Sequence, residues 1–208
     1  MTRDFLHAVA SLAVLCTVVP GVIALNVVSS TADQTAATDV QQPAHERSVA
    51  LFLDAARVIE SPRCMNCHPA TRSPTQGEAM RLHTPPIDAG SEGHGPLGLN
   101  CNTCHGSENV STIGIDIASI PGHPHWMLAP ASMSWQGKTP GEICRQIKDL
   151  TRNGGRTLEQ IHEHMAKDSL VGWAWNPGDG REPAPGSQEA FGILVGEWIA
   201  TGAACPEG

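Results

Sequence analysis

Two short runs place thiols and an imidazole at a fixed spacing: Cys64-Met65-Asn66-Cys67-His68 and Cys101-Asn102-Thr103-Cys104-His105. In each, two residues separate the cysteines and a histidine follows the second one directly. This pattern suits covalent capture of a flat macrocycle that carries two vinyl groups. The thiols add to the vinyls as thioethers, and the next residue presents a ring nitrogen to the iron. Each run therefore reads as a c-type haem attachment motif. Together they imply two covalently attached haem c groups, with His68 and His105 as iron ligands.

Two other chemistries use paired cysteines. Four thiolates can hold zinc, but zinc leaves the histidine after each pair unexplained. A dithiol redox pair of the thioredoxin kind needs a βαβ setting, which this sequence lacks. Too few residues separate Cys67 from Cys101 for each haem to have its own domain, so the two are expected to share one fold and lie close together.

A low-spin electron carrier needs a second axial ligand for each iron, and a methionine there raises the potential relative to histidine. The side chains that qualify are His83, His94, His123, His125, His162 and His164, with Met127, Met133 and Met165. On the helix expected from Leu158, the positions Leu158, Ile161, His162 and Met165 share a face, and His164 falls beside it. Helical phase therefore favours His162.

Cys144 and Cys205 stand outside the motifs. In an oxidising compartment they would form a disulfide between a helix near residue 140 and the end of the sequence; the alternative is two buried free thiols.

The elements that must position these groups are few. Residues 5–28 carry no Lys, Arg, Asp or Glu, and Arg3 supplies a positive flank. Residues 1–30 thus read as a signal peptide or an N-terminal membrane anchor, which places the rest outside the cytoplasm. Residues 31–44 are polar and read as a flexible linker. One domain fills 45–208. Its first helix is expected at about 45–60, with Val49, Phe52, Leu53, Ala56 and Ile59 on one face. Thr139-Pro140-Gly141-Glu142 and Thr157-Leu158-Glu159-Gln160 are capping boxes that open helices to about Thr151 and Lys167. Ser187 caps a last helix, with Phe191, Leu194, Val195 and Trp198 facing inward. Segments 69–99, 106–138 and 169–186 read as irregular, and no strand of ordinary length stands out. The fold class is mainly α, with long loops, in a single domain built around two haems.

Composition agrees with a core completed by a cofactor. There are three Phe, five Trp and no Tyr, against 21 Gly and 16 Pro. Trp126, Trp135, Trp173, Trp175 and Trp198 are the large apolar groups able to pack on haem. A net charge of −8 argues against nucleic acid, whose phosphates demand clustered Lys and Arg. It suits docking to a basic patch on a redox partner.

From Cys64 onward the sequence resembles a family of small exported dihaem cytochromes c. Some members are labelled as cytochrome subunits associated with isoquinoline 1-oxidoreductase-like molybdenum hydroxylases. The stretches that carry the resemblance are CMNCHPA, LHTPPI, GLNCNTCHG, PHWMLAP, MSWQGKTPGEICRQIKD, NGGRTLEQIHEHMAKDSLVGWAWNPG and ATGAACP. The resemblance implies haem attachment at Cys64, Cys67, Cys101 and Cys104. It draws attention to His83, Met133 and His164 as distal ligands and favours His164 over His162. Met127 is a departure, since relatives can carry His after the Trp. The implied role is periplasmic electron transfer between a partner dehydrogenase, in some cases a molybdenum hydroxylase, and the respiratory chain. Membrane association is expected only with an uncleaved leader.

The reading is thus an electron-transfer protein and not an enzyme. The alternative is a peroxidase-type haem enzyme, which would need an open iron position and a distal acid/base group such as His123 or His125.

Overall fold

The computed structural model describes residues 31–113 and 117–208, with side chains from residue 43 onward. The apolar stretch 5–28, expected to be a signal peptide or anchor, lies outside the described residues. Within them no helix is long and apolar enough to cross a membrane.

The chain is mainly helical. Helix α1 spans Thr31–Ile59, α2 Pro62–Met65, α3 Pro140–Lys148, α4 Leu158–Lys167, α5 Ser169–Gly172 and α6 Gln188–Ala200. Among the described residues, strand content is limited to two-residue ladders. Strand β1 (Thr75–Gln76) pairs antiparallel with β2 (Arg81–Leu82), and β3 (Val110–Ser111) with β4 (Ser119–Ile120).

Helix α1 begins at Thr31 rather than near residue 45, so the segment expected as a linker falls within its span, Pro43 included. Residues 31–44 contain no glycine, and a low apolar content does not by itself prevent a helical backbone. Packing starts later, at the fully buried Ser48. Its hydroxyl donates to the Trp198 carbonyl at 3.3 Å and accepts from Ala204 N–H at 2.9 Å. Phe52, Ala55, Ala56, Val58 and Ile59 follow on the buried face. Leu53, expected there, is 41% exposed, because the packed face turns toward Ala55 and Val58.

Both capping boxes form. Thr139 Oγ1 accepts from Glu142 N–H while the Glu142 carboxylate accepts from Thr139 N–H, and Thr157 pairs with Gln160 in the same way. Helix α3 stops at Lys148, three residues before the expected end. Asp149 leaves helical geometry and accepts from Thr151 N–H and Oγ1. The buried Asn153 then organises the turn: its amide donates to the Ile147 and Arg156 carbonyls and its oxygen accepts from Arg156 N–H.

The core lies where α1, α3, α4 and α6 meet. Ile143, Ile147, Ile161, Met165, Phe191, Val195 and Trp198 are buried there. Trp198 packs on Phe52 with ring centroids 5.1 Å apart. The last residues are strapped onto α3: Arg145 donates to Gly208 O and Lys148 to Ala203 O. Cys144 and Cys205 form a disulfide across a sequence separation of 61.

Closing a loop of that size restricts the unfolded chain by about 4 kcal/mol. The Cys144→Ser/Cys205→Ser double variant is therefore expected to lower the stability of the chain by about that amount, read as a lower denaturant midpoint with a steeper slope, because the released unfolded chain exposes more surface.

Candidate functional site

Both C-x-x-C-H runs fold into the same local turn. In the first, on α2 and the residue that caps it, Cys67 N–H and His68 N–H donate to Cys64 O, each at 3.1 Å. In the second, a 3₁₀ turn at Cys101–Thr103, Cys104 N–H and His105 N–H donate to Cys101 O at 3.2 and 2.9 Å. Residues three and four apart share one face of such a turn. Each run thus gathers two thiols and one imidazole on a single side.

The four motif cysteines are free. Burial pushes the Cys64 thiol up to about 11 and the Cys67 thiol up to about 12. Both are therefore neutral at pH 7. Cys101 is half-buried, with its thiol also pushed up by burial, and Cys104 is exposed. Among the described residues no three His, Cys, Asp or Glu side chains converge into a metal-holding group, so the four-thiolate zinc arrangement is not assembled.

The imidazoles are more tightly specified. His68 Nδ1 meets Met133 O at 2.6 Å and His105 Nδ1 meets Pro121 O at 2.7 Å. A carbonyl oxygen only accepts, so Nδ1 carries the proton in both rings and Nε2 carries the lone pair. Each ring is also clamped by an indole. His68 stacks on Trp135 with centroids 3.5 Å apart and planes within 4°, and His105 stacks on Trp126 at 4.9 Å. Trp173 closes on Trp126 edge-on and donates Nε1–H to Asn109 Oδ1.

Two of the distal candidates share this polarity. His83 Nδ1 donates to Pro85 O at 2.8 Å, and His164 Nδ1 to Asp168 Oδ2 at 3.1 Å. They also pair with the motif histidines. The His83 and His105 ring centroids are 5.9 Å apart, with the planes tilted at 57°. His164 lies close enough to His68 to disfavour a charge there. Burial pushes His68 down to about 4, the Met133 carbonyl opposing and His164 reinforcing. Burial also lowers His105, with the Pro121 carbonyl opposing and His83 and Arg181 reinforcing.

The other candidates are placed differently. His162, favoured by helical phase, donates Nε2–H to Gly192 O across the α4–α6 contact at 3.1 Å. His123 Nε2 meets Ser169 Oγ, and its Nδ1 accepts from His125 N–H. Met133 is buried and contributes its carbonyl to His68. Met127 is half-buried beside Trp126 in sequence. His94 accepts from Cys101 N–H through its backbone carbonyl.

The loops that hold the rings are themselves tied to the motifs. Trp135 N–H and Gln136 N–H donate to His68 O, and Ala129 N–H to Cys67 O. Gly122 N–H donates to Asn109 Oδ1, fixing the strand end that bears Pro121. Three buried donors in the described residues lack an acceptor: Arg63 Nε, Arg72 Nη2 and Trp135 Nε1. Arg63 precedes Cys64, Trp135 stacks on His68, and Arg72 donates to Ala129 O beside Cys67. Buried donors of this kind call for an acceptor. Leu82, Leu97 and Ile113 are large apolar side chains exposed in the same loops. Two thiols, an Nε2 lone pair, unsatisfied donors and bare apolar groups are the complement of a flat apolar ligand with carboxylates.

The carbonyl partners Met133, Pro121 and Pro85 carry no signal in the sequence, because every residue has a carbonyl. Asp168 stood unassigned in the sequence, between the helix expected to end at about Lys167 and the irregular segment from residue 169. No family model, curated protein or solved structure matches the chain.

A Cβ at Gly122 would overlap Glu108 O, whereas one at Gly106 makes only ordinary contact. Gly122→Ala is therefore expected to displace the Pro121 backbone and cost about 1–3 kcal/mol. Gly106→Ala is expected to stay within about 0.5 kcal/mol. Denaturant unfolding of the two variants side by side checks both.

Proposed function

We propose that the chain is an exported dihaem c-type cytochrome that carries electrons between redox partners. The observation that carries this reading is the set of four imidazoles, His68, His83, His105 and His164, each with Nδ1–H given to an oxygen. His83 lies 5.9 Å from His105, ring centroid to ring centroid, and His164 is near enough to His68 to disfavour a charge on it, so each C-x-x-C-H histidine has a second imidazole in its neighbourhood. The resemblance to small exported dihaem cytochromes points the same way.

The residues divide the work. Cys64 and Cys67 would attach one haem, and Cys101 and Cys104 the other. His68 with His164, and His105 with His83, would supply the axial nitrogens. When bound, haem supplies one-electron chemistry at iron, which no side chain of this protein offers. Met133, Pro121, Pro85 and Asp168 hold the ring nitrogens in the coordinating tautomer. Trp135 and Trp126 fix the ring planes and keep water from them. Arg63, Arg72 and Trp135 would give their spare donors to haem carboxylates.

The charge of −8 suits transient docking to a basic partner surface. A dehydrogenase such as a molybdenum hydroxylase fits as the electron source and the respiratory chain as the sink. The periplasm is the matching compartment, since thioether attachment takes place outside the cytoplasm. Membrane contact would come only from an uncleaved leader.

Full-length protein matured with the c-type attachment machinery is expected to contain two covalent haems per chain by pyridine haemochrome assay, both low-spin. His83→Ala and His164→Ala are each expected to turn one of the two haems high-spin. Absence of covalent haem would remove the functional reading. An unchanged low-spin spectrum in both variants would remove the distal assignments, and a high-spin haem in the unaltered protein would point to the peroxidase-type alternative.

A further inference from the structure

The four locked imidazoles are not equivalent. Three donate to backbone carbonyls, those of Met133, Pro121 and Pro85. The fourth, His164, donates to a carboxylate, Asp168 Oδ2 at 3.1 Å. We propose that Asp168 sets the reduction potential of the haem held at His68 and His164, lowering it by making His164 a more basic axial ligand. The inference rests on the dihaem reading above and goes beyond it, since that reading leaves the two haems undistinguished.

The physical basis is charge. A carboxylate draws the Nδ1 proton more strongly than a neutral carbonyl does, and the hydrogen bond is charge-assisted. Electron density is returned to the ring, Nε2 becomes a stronger donor, and the higher oxidation state of a bound iron is favoured. The negative charge adds a through-space contribution of the same sign.

Asp168 is held for this task from two sides. It ends α4 and caps α5, with Oδ1 accepting from Leu170 N–H at 2.8 Å and from Val171 N–H at 3.4 Å. Its carbonyl accepts from the Gln188 amide at 2.8 Å, tying it to the start of α6. One oxygen serves the cap and the other is left to His164. The neighbouring charges on α4 cancel, because Lys167 pairs with Glu163 at 3.0 Å. Near the first motif, the Arg63 charge is met by Glu78 at 2.8 Å.

The test is a spectroelectrochemical titration of the intact two-haem protein and of its Asp168→Asn and Asp168→Glu variants. Asparagine keeps an oxygen for the cap and removes the charge. In Asp168→Asn, one midpoint is expected to move to higher potential while the other stays, with both haems low-spin. The moved midpoint should belong to the haem whose spectrum His164→Ala alters. Asp168→Glu should return it toward the original value. An unmoved pair of midpoints, a downward shift, a shift confined to the other haem, or conversion of one haem to high-spin would overturn the proposal. Failure of the dihaem reading looks different: the unaltered protein would lack two low-spin haems before any variant is made.

Discussion

A backbone carbonyl can accept a hydrogen bond but never give one. That asymmetry governs this molecule. Where a histidine Nδ1 meets Met133 O or Pro121 O, the proton must sit on Nδ1, so the other nitrogen must face outward with a lone pair. Two flat rings thereby acquire a direction and a donor character without help from any acidic side chain. The loops around them exist to bring those carbonyls to the right place. Once that is granted, the long glycine- and proline-rich segments cease to look like filler. They are the frame on which otherwise symmetrical rings are made polar.

Such loops cannot stabilise themselves, and the division of labour in the fold follows from that. The helices α1, α3, α4 and α6 contain most of the buried aliphatic and aromatic core, with Met133 and Trp135 added from the loop beside the first motif. The segment 128–136 then fastens to this block through its contacts with the first motif. The second motif hangs further out. Its ring is held by Pro121 and Trp126, its own turn is largely exposed, and β3–β4 is only two residues long on each side. The first site is thus built into the helical block, and the second is carried on an extension of it.

The sequence was most informative where chemistry and local backbone geometry coincide. The paired motifs, the two capping boxes, the Ser187 cap and the inner face of α6 at Phe191, Val195 and Trp198 could all be read directly. The partnership of Cys144 with Cys205 was legible from compartment logic. Three things were not. The start of α1 was hidden because a polar run need not be a linker. The short helix α5 was hidden because it lies at the start of the segment 169–186, read as irregular, with its capping residue Asp168 just outside it. The contact of His164 with Asp168 was hidden as well, because helical phase singles out His162, the side chain that faces the neighbouring helix and meets Gly192 O. A ring that faces loops, as His164 does toward Asp168, lies off that stripe and is invisible to a periodicity argument.

The disulfide carries a consequence for how this chain is made. Six cysteines of the described region stand in two states: Cys144 and Cys205 are joined in a disulfide, while Cys64, Cys67, Cys101 and Cys104 are free. An oxidising compartment pushes all six the same way, and close C-x-x-C neighbours are the easiest to oxidise wrongly. Position along the chain offers a way to sort them. In a polypeptide exported amino terminus first, both C-x-x-C-H pairs emerge well before Cys205, the partner that Cys144 must wait for. The order of emergence becomes a clock. On the proposed reading, the four early thiols could be claimed by attachment before the tail arrives to close the long loop between Cys144 and Cys205.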